Sequence, residues 1–126
     1  MRNLKMIPLF ILSFSTLFAQ TEGDVFFSSN TVHNLYFTFH QANYWDSLEA
    51  SYTNDYYIKG DVEIDGAMML DCGVKFKGNS SYNSPGLKKP FKIDFNEYVS
   101  GQKYDELKKL NLNNCVGDPT FLREKI

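Results

Sequence analysis

Apolar and polar positions change rhythm several times along the chain, and each change marks an element. Val32 to Phe39 alternates weakly and is rich in β formers, which predicts a strand. Asn43 is placed to cap a short helix over Tyr44 to Ala50, where Trp45 and Leu48 lie three apart and share a face. A polar break over Thr53 to Asp55 precedes a second strand, Tyr56 to Ile64, with Ile58, Val62 and Ile64 on one parity. Asp65-Gly66 follows between two β-like runs, the strongest short hairpin signal, so Ala67 to Lys77 is the partner strand. Phe91 to Phe95 alternates apolar and charged, and Leu110 to Asn113 alternates again. Asp118-Pro119 opens a further helix, Asp as N-cap and Pro at the first helical position, with Phe121 and Leu122 starting its apolar face. The pattern is that of an α+β fold: an antiparallel, β-rich unit with one or two short helices.

Two stretches break the pattern. Residues 78–86, GNSSYNSPG, hold two Gly, three Ser, two Asn and a Pro, a density that only a loop accommodates. At the start, Arg2 and Lys5 precede an apolar run from Met6 to Phe18 and a small residue, Ala19. That is the three-part pattern of a secretory signal peptide over residues 1–19, and the run is shorter than the ~20 residues a spanning helix needs. No later apolar run is long enough to span a bilayer. The expected organisation is a signal peptide (1–19), a leader loop (20–31) and one β-rich unit (32–126), placing the protein outside the cell or in its envelope.

Composition narrows the function classes. The 126 residues carry 13 Lys and Arg against 15 Asp and Glu, a net charge of −2, which argues against nucleic acid as a partner. Eleven Phe and eight Tyr suit a sheet. Two cysteines are too few for a disulfide scaffold or a four-ligand zinc site. Export would permit Cys72 and Cys115 to pair; two small buried apolar side chains is the equally simple alternative. Asn79-Ser80-Ser81 is also a glycosylation sequon in a eukaryotic setting.

The charges are unevenly placed. From Cys72 to Ile93 there are five lysines, at 75, 77, 88, 89 and 92, and no acid. A Gly- and Ser-rich loop flanked by Lys has the makings of a phosphate cradle: Gly lets the backbone N–H groups approach an anion, hydroxyls donate and Lys supplies charge. The spacing is neither that of a Walker A loop nor GxGxxG, since Gly78 and Gly86 are eight apart. On spacing alone, a solvated loop with exposed lysines is the simpler account. Lys92 is more specific, because it lies on a strand next to the glycine loop. A strand Lys paired with a Glu from a helix is how protein kinases hold nucleotide, and Glu124 lies on the next predicted helix. No HRD-type catalytic loop or DFG occurs in the chain. His33 and His40, seven apart around a strand, have poor spacing for metal ligands and read as ordinary polar residues.

Four ordered blocks carry a family resemblance: residues 73–81 (GVKFKGNSS), 88–96 (KKPFKIDFN), 107–114 (LKKLNLNN) and 118–125 (DPTFLREK). Together they closely resemble the CotH family, spore coat protein H-like atypical protein kinases, over roughly residues 30 to 126. The resemblance implies the N-terminal lobe of a kinase-like fold without its C-terminal lobe. It further implies binding of ATP with Mg²⁺ and phosphorylation of Ser on partner proteins. In that picture Lys92 holds the α- and β-phosphates, Glu124 orients Lys92, and the loop with Lys77, Gly78, Asn79, Ser80 and Ser81 covers them. The family's catalytic and metal-binding aspartates would lie beyond Ile126, so this chain alone is expected to bind nucleotide and be catalytically silent. The alternative of a different class is an exported β-rich module that binds carbohydrate or protein through Tyr44, Trp45, Tyr52, Tyr56 and Tyr57.

Overall fold

A computed structural model describes residues 19–28 and 30–116. The expected signal peptide, apart from its last residue, and the expected C-terminal helix with Glu124 lie outside the described residues. The elements are α1 (Asp24–Ser28), β1 (Leu35–Phe39), α2 (Tyr44–Asn54), β2 (Ile58–Ile64), β3 (Ala67–Phe76), β4 (Phe91–Asp94) and β5 (Lys109–Leu112). The strands form one antiparallel sheet in the order of the chain, β1-β2-β3-β4-β5. The fold is α+β and β-rich, as the alternation predicts.

The parity seen in the sequence sets the inner face. Ile58, Val62, Ile64, Val74, Phe76, Ile93 and Leu110 are buried, and their registers place Ile58 opposite Val74, Val74 opposite Ile93 and Ile93 opposite Leu110. Each such side chain contributes about 1.5–3 kcal/mol by leaving water. The sheet is strongly curled. In a flat sheet β1 and β4 would stand roughly 14 Å apart, yet the rings of Phe37 on β1 and Phe91 on β4 stack at 5.2 Å. The curl wraps the inner face around α2, whose Leu48 is fully buried and whose Trp45 meets Phe76 edge-on at 5.2 Å.

The Asp65-Gly66 turn has positive φ at both residues, 49° and 87°, as a two-residue hairpin requires, and joins Ile64 to Ala67 in register. A bulge follows where β2 passes from Gly60 to Val62; there the Asp61 carboxylate accepts the backbone N–H of Asp71 at 2.9 Å.

Helix α2 runs four residues past the predicted end at Ala50. Its polar last turn bonds back to the turn before: the Ser51 hydroxyl donates to the Leu48 carbonyl at 2.7 Å, Thr53 to Glu49 at 3.3 Å, and the Asn54 amide to Ala50 at 2.9 Å. Asn43 precedes the helix without a side-chain capping bond; its carbonyl receives the Ser47 N–H instead. Asp55 ends the helix in the left-handed region, with φ 53°.

Residues 20–31, expected to be a leader loop, hold the short helix α1. Five residues cannot sustain a helix unaided. This one is anchored from afar, because the Asp105 carboxylate accepts the Phe26 N–H at 2.8 Å and Phe26 stacks on His33 at 4.1 Å.

Candidate functional site

Strand alternation on β3 turns Val74 and Phe76 inward and sends Lys75 to the opposite face. The β3–β4 register then sets Lys75 directly across from Lys92. Side chains so opposed have Cβ atoms about 4.5–5.5 Å apart, and like charges there repel. The two lysines meet different surroundings. The Lys75 ammonium donates to the Asp55 carboxylate at 2.5 Å and lies 4.6 Å from the centre of the Tyr57 ring. Its side chain is only 15% exposed, whereas that of Asp55 is 87% exposed. Among the described residues Lys92 has neither an ion pair nor a hydrogen bond.

These groups surround a cleft of about 550 Å³ at the end of the sheet, where Lys75, Lys77 and Lys92 converge with Tyr52, Thr53, Asp55 and the Gly78 backbone. The Lys77 ammonium donates to the Asn113 side-chain oxygen at 2.6 Å, and the Tyr52 hydroxyl to the Gly78 carbonyl at 2.8 Å. Hydrogen bonding and attraction from Lys75, with a smaller pull from Lys92, hold the Asp55 carboxyl below its ordinary range. Burial, with the nearby acids Asp94, Glu97 and Asp55, pushes the Tyr57 hydroxyl up to about 12. Among the described residues three cations and one anion line the cleft, a balance that favours anions there.

The glycine loop is folded on itself. The Lys89 ammonium donates to the carbonyls of Tyr82 at 2.7 Å and Ser84 at 3.0 Å, drawing residues 82–89 into a closed turn. The buried Asn114 amide donates to the carbonyls of Ser81 at 2.8 Å and Lys88 at 3.0 Å. Tyr82 stacks on Tyr52 at 3.6 Å, tying the loop to α2. Of the site residues expected from sequence, Lys77, Gly78 and Lys92 line the cleft, whereas Asn79, Ser80 and Ser81 lie outside its lining. Glu124 falls outside the described residues. Sequence reasoning passed over Lys75, Thr53 and Asp55. The acid-free lysine window includes Lys75, but the register that sets it beside Lys92 depends on a long connection that no local pattern fixes.

Other polar groups have structural partners. His33 bonds to Asp65 at 2.6 Å and to the Phe26 carbonyl at 2.9 Å. His40, Asp61 and Asp71 bring potential ligand atoms within 4.8 Å of one another. His40 bonds to Asp61 at 3.1 Å, and the Lys59 ammonium stands 3.8 Å from Asp71 as a resident countercharge. Cys72 and Cys115 are both free rather than paired, and Cys72 is fully buried. Of the rings proposed as a binding surface, Trp45 packs on Phe76, Tyr52 on Tyr82, Tyr44 on Phe39 and Tyr57 over Lys75. Tyr56 makes no such contact among the described residues, and Tyr44 and Tyr56 are the exposed members of the five. No helix of the described residues is long and apolar enough to cross a membrane.

Compared with known proteins, residues 74–126 match the family described as CotH kinase protein. The matched stretch begins on β3 and takes in Lys75, Lys77, the glycine loop and Lys92, while the α2 wall of the cleft precedes it. No curated protein and no solved structure matches the chain.

Proposed function

We propose, from the CotH kinase relationship of residues 74–126 together with the lysine-lined cleft, that this chain carries the nucleotide-binding portion of an exported CotH-like protein kinase. In this account the full-length kinase phosphorylates Ser on partner proteins with ATP, and this chain alone binds the nucleotide without completing the transfer. The observation that carries the proposal is the convergence of Lys75, Lys77 and Lys92 on one cleft beside the Gly78 backbone. Phosphoryl transfer is mostly positioning and charge stabilisation, so the useful property of a strand lysine is that its stem cannot wander. Lys92 sits on β4 between neighbours on both sides, pairing with Lys75 and with Asn111. Its ammonium, without an ion pair or hydrogen bond among the described residues, is available to grip the α- and β-phosphates. Lys77 adds charge at the rim, and the loop over 78–86 borders the phosphates, with Glu124 supplying the carboxylate that orients Lys92.

The donor set fits a polyphosphate. It does not by itself fit Mg²⁺, which takes carboxylate and water oxygens in an octahedron. Among the described residues the cleft offers one carboxylate, Asp55, already bonded to Lys75. No residue described in this cleft is therefore assigned to the metal, and no step is routed through it.

Calorimetric titration of the chain with ATP–Mg²⁺ tests the proposal. Saturable binding that weakens roughly tenfold in Lys92→Ala is expected, the scale of one lost hydrogen bond to a charged group. Absence of binding, or binding unchanged in Lys92→Ala, rejects it.

A further inference from the structure

Building on the nucleotide proposal above, we propose that Asp55 is a resident counter-anion of the cleft, occupying on Lys75 the place of a ligand phosphate and leaving when a polyphosphate binds. Asp55 thereby sets which anions the cleft accepts.

Lys75 does not need Asp55 to hold it. Its stem is fixed on β3, its side chain is 15% exposed, and its ammonium lies 4.6 Å from the Tyr57 ring centre. A cation over an aromatic face is stabilised without any carboxylate. Tyr57 is itself held in place, since Tyr98 donates to its carbonyl at 2.7 Å. Asp55 is the looser partner. It stands just past the last turn of α2, its side chain is 87% exposed, and among the described residues Lys75 is its one side-chain hydrogen-bond partner. Exposed ion pairs of this kind are weak and screened by salt, so an incoming anion can displace the carboxylate without disturbing the strand.

The charge count gives the selectivity. With Asp55 in place, Lys75 is neutralised and Lys92, directly opposite, is not. A single phosphate that displaces Asp55 merely replaces one anion by another on Lys75. A ligand with two adjacent phosphates reaches both lysines, relieves the repulsion between them, and compensates Lys92 as well. The tethered carboxylate competes at high effective concentration, so it screens out monophosphates more than polyphosphates. The cleft is thus built for a di- or triphosphate group, and Asp55 is a specificity-determining residue lying outside the stretch matched to the CotH family.

The test is titration of the chain and its Asp55→Asn variant with inorganic tripolyphosphate and, separately, orthophosphate, at low ionic strength. Asn tolerates the left-handed backbone at this position, so the helix end is kept. Asp55→Gly, which suits the same φ, gives the same readout if the first variant melts early. Tripolyphosphate is expected to bind roughly threefold more tightly to the variant, and the preference over orthophosphate to shrink, an effect the size of a released surface ion pair. If the unaltered chain binds tripolyphosphate and both variants bind it equally or more weakly, Asp55 positions Lys75 rather than competing for it, and this inference falls while the nucleotide proposal stands. If none of the three proteins binds tripolyphosphate, the nucleotide proposal falls too.

Discussion

Lys75 on β3 and Lys92 on β4 are Cα partners across the sheet, two like charges set opposite each other, and among the described residues Asp55 is the one carboxylate that forms an ion pair with either. Such a pair disfavours the fold, because directly opposed like charges destabilise a sheet. Replacing Lys92 by Ala or Gln is therefore expected to leave stability unchanged or raise it by about 0.5 kcal/mol, while weakening ATP–Mg²⁺ binding. Urea denaturation alongside the calorimetry separates the two effects. A loss of stability comparable to a core substitution would show that Lys92 is structural, not a ligand-binding group.

Phe76 ties helix, sheet and loop together on the inner face. It is 1% exposed and meets Trp45 of α2 at 5.2 Å, Phe91 of β4 at 5.0 Å and Tyr82 of the loop at 5.7 Å. Phe76→Ala opens a cavity shared by helix, sheet and loop, and is expected to cost about 3–5 kcal/mol. Because the same ring supports the floor of the cleft, polyphosphate affinity should fall with it. Phe76→Leu, which refills most of the volume, should recover much of both. Equilibrium unfolding of the two variants provides the comparison, and equal losses would mean the site does not collapse or repack as the contacts imply.

What the sequence reveals here is governed by distance along the chain. The Asp65-Gly66 hairpin and the inward parity of Ile58, Val62 and Ile64 were legible because each depends on neighbours within a few residues. The end of α2 was not, since Ser51, Thr53 and Asn54 look like a break until their side chains bond back to the previous turn. Helix α1 was hidden because its anchor, Asp105, lies 79 residues from Phe26. For the candidate site, the loop and Lys92 stand out by composition. Asp55 does not, because its lysine is 20 residues away on a strand whose register is fixed only by the whole sheet.

Two glycines separate steric from conformational constraint. A Cβ at Gly73 on β3 would stand 2.7 Å from the Glu97 Cβ and 3.1 Å from the Tyr57 Cβ. At Gly66 a Cβ would meet nothing within 4 Å, but φ is +87°. Gly66→Ala is expected to cost about 1–2 kcal/mol through the left-handed backbone alone. Gly73→Ala must push the 95–98 segment and Tyr57 away from the sheet, costing about 1–3 kcal/mol and loosening the ring beneath Lys75. Polyphosphate titration distinguishes them: Gly73→Ala should alter affinity and Gly66→Ala should not, and an equal effect of both would contradict the close approach at Gly73.

Alkaline pH should weaken the fold before the lysines titrate fully. Burial, helped by Asp61 and Asp71, pushes the Cys72 thiol up from its ordinary 9.0 to about 11. Burial, helped by Asp94, Glu97 and Asp55, pushes the Tyr57 hydroxyl up from 10.0 to about 12. Both groups are neutral when protonated, and the folded chain holds those protons to higher pH than the unfolded chain does. Above the unfolded values the unfolded state therefore binds fewer protons, and unfolding free energy falls with rising pH. The fall should begin near pH 9 with Cys72 and continue through 12 with Tyr57. Cys72→Ser leaves a hydroxyl that does not ionise there, so its melting curve should lose the lower part of the decline while Tyr57→Phe removes the upper part. Thermal melts from pH 7 to 12 on the three proteins measure this, and parallel curves for all of them would show that neither group governs the alkaline limit.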